Sequence, residues 1–277
     1  MIPGNVHSRH PYTVAGVYQG GVEQLEQVAL LSFLAAHTTT LRLMTGVMVL
    51  PHRGPILAAK MLATIDVLSG GRLIVGCGVG WMKEEFEVLG APSYEDRGAV
   101  GDEYILAFKE LWTRDAPRFE GKHVSFSDLT FAPKPIQKPH PPIWVGGGSS
   151  PALRRAARLG DGWYPFGVNP QHPVGTAAQL GESISRLHRL AEEAGRDPAD
   201  IDIAYSAGWD EEGEESEQQA IVSGRPSFSG SPEQVAQDIR SFQEVGVGHM
   251  KFDIKRTTLS ESLERLDRFA SDVMPLV

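Results

Sequence analysis

The sequence predicts an α/β fold, and three observations carry the prediction. Apolar strand-like runs alternate with helical stretches from Leu41 to the end of the chain. The strands read as buried apolar runs, the pattern of a parallel sheet covered by helices. Helix-starting and helix-stopping residues punctuate the alternation where each helix should begin and end.

The elements follow in order. Val22 to Ala36 reads as a helix, and Leu41 to Leu50 as a buried strand. Pro51-His52-Arg53-Gly54-Pro55 is a short loop that puts Pro55 at a helix's first position. Ile56 to Leu68 is apolar nearly all round and stops at Ser69-Gly70-Gly71; Arg72 to Gly76 is the next buried strand. Strand, helix and strand within about 40 residues form a crossover unit, which requires parallel strands. A helix begins near Lys83. Residues 114–142 hold six prolines and the turn signal Phe119-Glu120-Gly121-Lys122, so they read as a hairpin and an extended connection. Pro142 to Gly146 is a strand, Pro151 to Leu159 a helix and Gly162 to Phe166 a strand. Residues 176–194 form a helix ended by Gly195, and Ile201 to Ala207 is a strand. Asp210 to Glu215 is most simply a solvated acidic loop. Ser231-Pro232-Glu233-Gln234 has the form of a capping box and opens a helix closed by Gly246. His249 to Ile254 is the last strand and residues 259–273 the last helix. A closed (β/α)₈ barrel needs eight strands in about 250 residues. The reading yields six parallel strands and begins on a helix.

Composition narrows the function. Of 277 residues, 26 are basic and 35 acidic, a net charge of −9 that argues against a broad nucleic-acid footprint. One cysteine, Cys77, excludes an internal disulfide framework and a cysteine-built zinc site. The longest largely apolar run, Val28 to Ala36, is far short of the ~20 residues of a membrane span. The N-terminus lacks a charged-then-apolar signal pattern, so the expected location is cytoplasmic. No G-x-S-x-G elbow exists, and the histidines form no H-x-H or H-E-x-x-H pair, so neither a serine hydrolase nor a metal site is expected.

Two glycine loops are candidate sites. Gly76-Cys77-Gly78-Val79-Gly80-Trp81 ends a strand, but Trp81 stands where a dinucleotide fingerprint wants its last glycine. Its glycines serve either close strand packing or a flat ligand lying on the backbone with Trp81 as a wall. Gly146-Gly147-Gly148-Ser149-Ser150-Pro151 joins a strand to a helix, with Ser150 as expected N-cap. Arg154, Arg155 and Arg158 follow without an acid before Asp161. That is either a tight turn with solvated arginines or a phosphate site at a helix N-terminus. His52 and Arg53 lie just after a strand, where barrel enzymes place active residues; ligand contact and plain loop both fit. Asp161 precedes a strand and reads as structural.

On these stretches the chain resembles the luciferase-like monooxygenase superfamily of flavin- and coenzyme F420-dependent oxidoreductases. Leu41 to Gly80, Trp81 to Gly90, Pro139 to Gly148, Ala152 to Tyr164 and Gly230 to Met250 carry the resemblance. It implies a TIM-type barrel, one domain over 1–277 with an insertion at about 114–142, and a cofactor ring at the C-terminal ends of the strands. It further implies a bulge with a non-proline cis peptide at Thr45, Gly46 and Val47, backing the ring. Val79, Gly80 and Trp81 match a second wall, and Gly146, Gly147, Gly148 and Ser149 the phosphate loop. Relatives begin with a strand, helix and second strand, whereas Ile2-Pro3 and Ser8-Arg9-His10-Pro11-Tyr12 match the loop that follows; the first two barrel strands are therefore expected to be absent. His10, His52 and Arg53 are the substrate-pocket candidates, and no catalytic residue or metal is assigned. The expected function is hydride transfer between bound F420, with FMN second, and a small organic substrate, in a homodimer without membrane or nucleic-acid partners. The alternatives are an FMN-dependent monooxygenase, a truncated non-catalytic flavin- or phosphate-binding barrel, and a fragment stable only through dimerisation.

Overall fold

The computed structural model describes residues 6–10, 24–167, 169–211, 214 and 224–277. They gather into two compact units, one of residues 6–10, 24–146 and 159–161, the other of the remainder. Both are α/β, with parallel strands joined through helices.

The first unit opens on helix α1 (Gln27–His37), started by Glu26, whose carboxylate accepts from the Ala29 N–H at 2.8 Å. The single strand expected over 41–50 is two short ones, β1 (Leu43–Met44) and β2 (Met48–Val49). Both pair in parallel with β3 (Leu73–Gly78): Met44 stands opposite Ile74, and Met48 opposite Cys77. Four steps along one strand match three along the other, so residues 45–47 form a bulge with one extra residue. Between β2 and β3 lies α2 (Pro55–Leu68), with Pro55 first as expected. Next come α3 (Lys83–Leu89) and α4 (Arg97–Thr113), then the expected antiparallel hairpin of β4 (Phe119–Glu120) and β5 (Ser125–Phe126). Finally β6 (Ile143–Gly146) pairs in parallel with β3, Val75 opposite Ile143.

The core of this unit lies between the sheet and helices α2 and α4. Leu62, Ile65, Leu73, Val75, Ile105, Leu111 and Ile143 are fully buried, each stabilising the fold by about 1.5–3 kcal/mol relative to exposure. The buried indole of Trp112 donates to the Ala59 carbonyl at 3.0 Å. Buried Asp66 accepts from the N–H groups of Ile136 (2.7 Å) and Gln137 (3.1 Å), which pins the proline-rich connection to α2. Glu103 on α4 holds the hairpin turn, accepting from the N–H groups of Lys122, His123 and Val124 at 3.0, 2.7 and 3.2 Å. Asp161 accepts from the Ile143 N–H at 2.9 Å and pairs with Lys109 at 3.4 Å, the structural role expected of it.

The second unit contains α5 (Ser150–Leu159, its last residue in the first unit), β7 (Gly162–Tyr164), α6 (Ala177–Glu193), β8 (Asp202–Gly208) and β9 (Asp210–Glu211). It continues with β10 (Ser229–Gly230), α7 (Pro232–Glu244), β11 (His249–Asp253) and α8 (Leu259–Arg268), which runs on into a π turn over Phe269–Val273. Strands β7, β8 and β11 are parallel neighbours in that order. The expected capping box forms between Ser231 and Gln234. Tyr205, Phe228 and Phe242 pack ring on ring, with centroids 4.7 to 5.9 Å apart.

The acidic run departs from expectation. Residues 212, 213 and 215 lie outside the described residues, but Glu211 and Glu214 are not simply solvated. They alternate with three arginines. Arg268 meets Glu211 at 2.7 Å, fully buried Arg265 meets Glu214 at 3.1 Å, and Arg256 meets Glu214 at 2.6 Å. The Arg265 guanidinium also lies over the Trp209 ring, 4.6 Å from its centroid. A buried guanidinium needs such partners, and the acidic run supplies them.

Candidate functional site

In the first unit the bulge brings the predicted residues to the C-terminal ends of β1 and β3. Buried Thr45 is fixed to β3 twice: its N–H donates to the Ile74 carbonyl at 3.3 Å and its hydroxyl to the Gly76 carbonyl at 2.7 Å. The Gly46–Val47 peptide bond is cis, where the resemblance placed such a bond. Gly46 is exposed, and nothing lies within 4 Å of where its Cβ would stand. Thr45 therefore holds a stretch of bare backbone whose outer side is open.

The glycines at the end of β3 and just beyond it are closely approached by protein. A Cβ on Gly76 would lie 2.0 Å from the Thr45 carbonyl oxygen, and one on Gly78 3.0 Å from Val47 Cγ2. At Gly80 it would meet Phe86 at 2.8 Å and Val49 at 2.9 Å. Protein atoms fill the Cβ side of all three, so Gly76 and Gly78 admit the bulge, and Gly80 admits Val49 of β2 and Phe86 of α3. Val79 and Trp81 are half-buried.

Tyr94 and Arg97, which no sequence motif singles out, hold the turn after β3. The Tyr94 hydroxyl donates to the Trp81 carbonyl at 2.9 Å, and Arg97 Nε donates to the Gly80 carbonyl at 3.2 Å. The Arg97 guanidinium lies 3.9 Å from the Tyr94 ring centroid. Phe86 touches both Tyr94 and His52 edge to face, at 5.3 and 4.8 Å. A Tyr-x-x-Arg spacing on one helical turn was the only signal available, and it is a weak one. His10 packs edge to face on Trp81, with centroids 4.7 Å apart.

His10 and His52 both stay neutral at neutral pH. Burial lowers the His10 pKa; burial and then the neighbouring Arg53 charge bring that of His52 to about 4. His52 Nε2 is buried and has no hydrogen-bond partner among the described residues. Arg53, by contrast, is ion-paired with Glu26 and so ties the loop after β2 to the start of α1.

In the second unit the glycine loop caps α5. Gly147 has φ +104°, a conformation that glycine adopts without a side-chain penalty; its N–H donates to the Tyr164 carbonyl at 3.2 Å and its carbonyl accepts from the Trp163 indole at 2.8 Å. Gly148 leaves room for His172, whose Cβ and carbonyl would stand 3.3 Å from an added Cβ. Ser149, one residue earlier than expected, takes the capping role: its carbonyl accepts from Leu153 at 2.9 Å and its hydroxyl from Ala152 at 3.4 Å. Gly146 ends β6 in the first unit. The three arginines also divide: Arg154 and Arg158 are exposed, while Arg155 is buried. Among the described residues no cluster of His, Cys, Asp and Glu is placed to hold a metal, and no helix is long and apolar enough to cross a membrane.

Comparison with known proteins identifies the family. The model of the luciferase-like monooxygenases matches residues 7–209. The FMNH2-dependent dimethylsulfone monooxygenase of Pseudomonas putida is 31% identical over 297 aligned positions, covering 93% of this chain and 80% of the relative. The solved structure of the monooxygenase RslO1 from Streptomyces bottropensis is similar with a TM-score of 0.74 at 25% identity, covering 90% of this chain and 82% of that one. The coenzyme F420-dependent tetrahydromethanopterin reductase from Methanopyrus kandleri shares the fold, with a TM-score of 0.71 at 19% identity over 91% of this chain and 88% of that one. The bulged strand, the glycine loop and these similarities converge, and the chain is an α/β oxidoreductase belonging to the luciferase-like monooxygenase family.

Proposed function

We propose that the chain binds a flavin-type cofactor and with it oxidises or reduces a small organic molecule. The observation that carries this reading is the exposed backbone at Gly46, open on its outer side and held from behind by Thr45. A flat ring needs a bare, rigid face, and a side chain at position 46 would occupy it. Thr45, Gly46 and Val47, with Val79, Gly80 and Trp81 at the neighbouring strand end, are the proposed ring platform. Gly146, Gly147, Gly148 and Ser149 are the proposed phosphate loop, supported by the helix N-terminus that follows it.

When bound, the cofactor supplies the two-electron chemistry. The chain's own residues hold and orient the ring and exclude water. His10 and His52 offer neutral imidazoles to the substrate, able to donate or accept a hydrogen bond at neutral pH. Arg53, engaged with Glu26, fixes the loop that carries His52. F420 is the first choice on the sequence alone, but the FMNH2 dependence of the relative at 31% identity weighs for FMN. A homodimer, a cytoplasmic location and a single-domain organisation complete the proposal.

Fluorescence titration with FMN, riboflavin and F420 tests it. Saturable binding is expected, with FMN at least about tenfold tighter than riboflavin, which lacks the phosphate. Gly46→Ala should weaken binding by at least about tenfold without lowering thermal stability. Absence of saturable binding of all three, or unchanged affinity in Gly46→Ala, overturns the proposal.

A further inference from the structure

Helix α3 is capped by a segment more than seventy residues away. Its own N-cap position, Met82, supplies no side-chain cap. Ser8 supplies one: its hydroxyl accepts from the Lys83 N–H at 3.1 Å. Glu84, in the helix's first turn, answers by accepting from the N–H groups of His7 and Ser8 at 2.5 and 2.8 Å. This is the reciprocal exchange of a capping box, in which hydroxyl and carboxylate each satisfy the other segment's backbone donors, but its two halves come from distant parts of the chain. The Ser8 contact leads the causes that hold the Glu84 pKa at about 2, so the carboxylate stays charged through the working pH range. Two residues beyond Ser8, the His10 ring meets Trp81, which itself lies two residues before Lys83. Both rings thus spring from the capped junction.

We propose that Ser8 and Glu84 are positioning residues whose reciprocal cap sets His10 edge-on against Trp81, so that the two rings form one wall beside the bound cofactor ring. The wall role rests on the proposed function; the cap does not. With the cap intact, the strap of residues 7–10 has one register on α3, and the imidazole keeps its apolar neighbour. Without it, His10 is free to leave Trp81 and become hydrated.

The test uses the full chain with Ser8→Ala, Glu84→Ala and the conservative Ser8→Thr. The ring protons of His10, assigned with His10→Gln, are followed by NMR across pH, and FMN binding is followed by flavin fluorescence quenching. Expected in Ser8→Ala and Glu84→Ala are loss of the Trp81 ring-current shift and a rise of the His10 titration midpoint towards 6.5. FMN should bind about fivefold more weakly, the effect of losing one cap, with less quenching, and Ser8→Thr should restore both readouts. A His10 signal unchanged in both alanine variants overturns the positioning role, even if the variants melt earlier. A shifted His10 signal with FMN affinity and quenching unchanged overturns the wall. Failure of the parent chain to bind FMN or F420 removes the functional reading together with the wall, while the His10 signal still decides the cap.

Discussion

Replacing Gly76 by alanine tests the geometry behind the bulge. The new Cβ would stand 2.0 Å from the Thr45 carbonyl oxygen and 2.8 Å from Met44 Cε. Ordinary contact begins near 3.4 Å, so strand and bulge must separate by roughly 1.4 Å, and the obstacle is backbone that cannot rotate away. That separation breaks the hydrogen bonds from Thr45 N to Ile74 and from Thr45 Oγ1 to Gly76. At about 1 kcal/mol for each hydrogen bond and about 1–3 kcal/mol for overpacking, the expected loss is about 3–5 kcal/mol. At roughly 2–4 °C per kcal/mol the melting temperature should fall by roughly 6–20 °C. Urea unfolding followed by tryptophan fluorescence measures the free-energy loss, and thermal unfolding followed by circular dichroism the melting temperature. Gly208→Ala is the control, since its Cβ meets nothing within 4 Å and the change should stay within about 0.5 kcal/mol. A Gly76→Ala protein as stable as the parent would refute the close approach of bulge and strand.

Two further predictions concern charge. The folded-state pKa of His52, about 4, lies below the ordinary 6.5, so acid protonates the unfolded chain first. Stability is therefore complete above pH 6.5 and lost as the pH falls towards 4, by about 1–2 kcal/mol at pH 5 once the screening of a half-buried ring is allowed for. His52→Gln should remove that part of the pH dependence, and equal urea midpoints at pH 7 and pH 5 in the parent would sink the idea. In the arginine–glutamate ladder, Glu214→Ala leaves Arg265 fully buried with Glu211 at 3.6 Å as its remaining anion among the described residues, a cost of about 2–3 kcal/mol. Arg265→Met removes the buried charge and keeps the packing on Trp209, so it should lie within about 1 kcal/mol of the parent. Thermal unfolding of both proteins decides, and a Met variant as damaged as the Ala variant would contradict this account.

What the sequence discloses depends on how local the cause is. Pro55 at the start of α2, the Ser231–Gln234 box and the Phe119–Phe126 hairpin each rest on residues within one turn or loop, and each was legible. Helix α4 is hidden in the sequence because Gly98 and Gly101 interrupt its start, although Tyr104, Ile105, Phe108, Leu111 and Trp112 keep a buried helical stripe. The β3 glycines were legible as glycines but not in their purpose, which depends on where residues 45–49 and Phe86 come to lie. The resemblance to a family located the bulge, while the glycine loop before α5 was already legible as a strand-to-helix connection. The resemblance gave no role to Ser8, Glu84, Tyr94 or Arg97, whose partners lie at separations that periodicity does not reach.

The grip of Glu103 on the β4–β5 turn bears on how this scaffold can be rebuilt. A surface hairpin invites use as a splice point for a tag, an epitope or a second domain. Here three amide donors of the turn point inward to one carboxylate, and a side chain at Gly121 would stand 2.3 Å from its Oε2. Cargo inserted at 121–124 would evict that carboxylate and leave three donors to find new acceptors, loosening the hairpin from α4 as the graft is made. Tolerance to insertion follows where backbone amides are directed rather than how far a loop protrudes, and by that criterion this turn belongs to the frame.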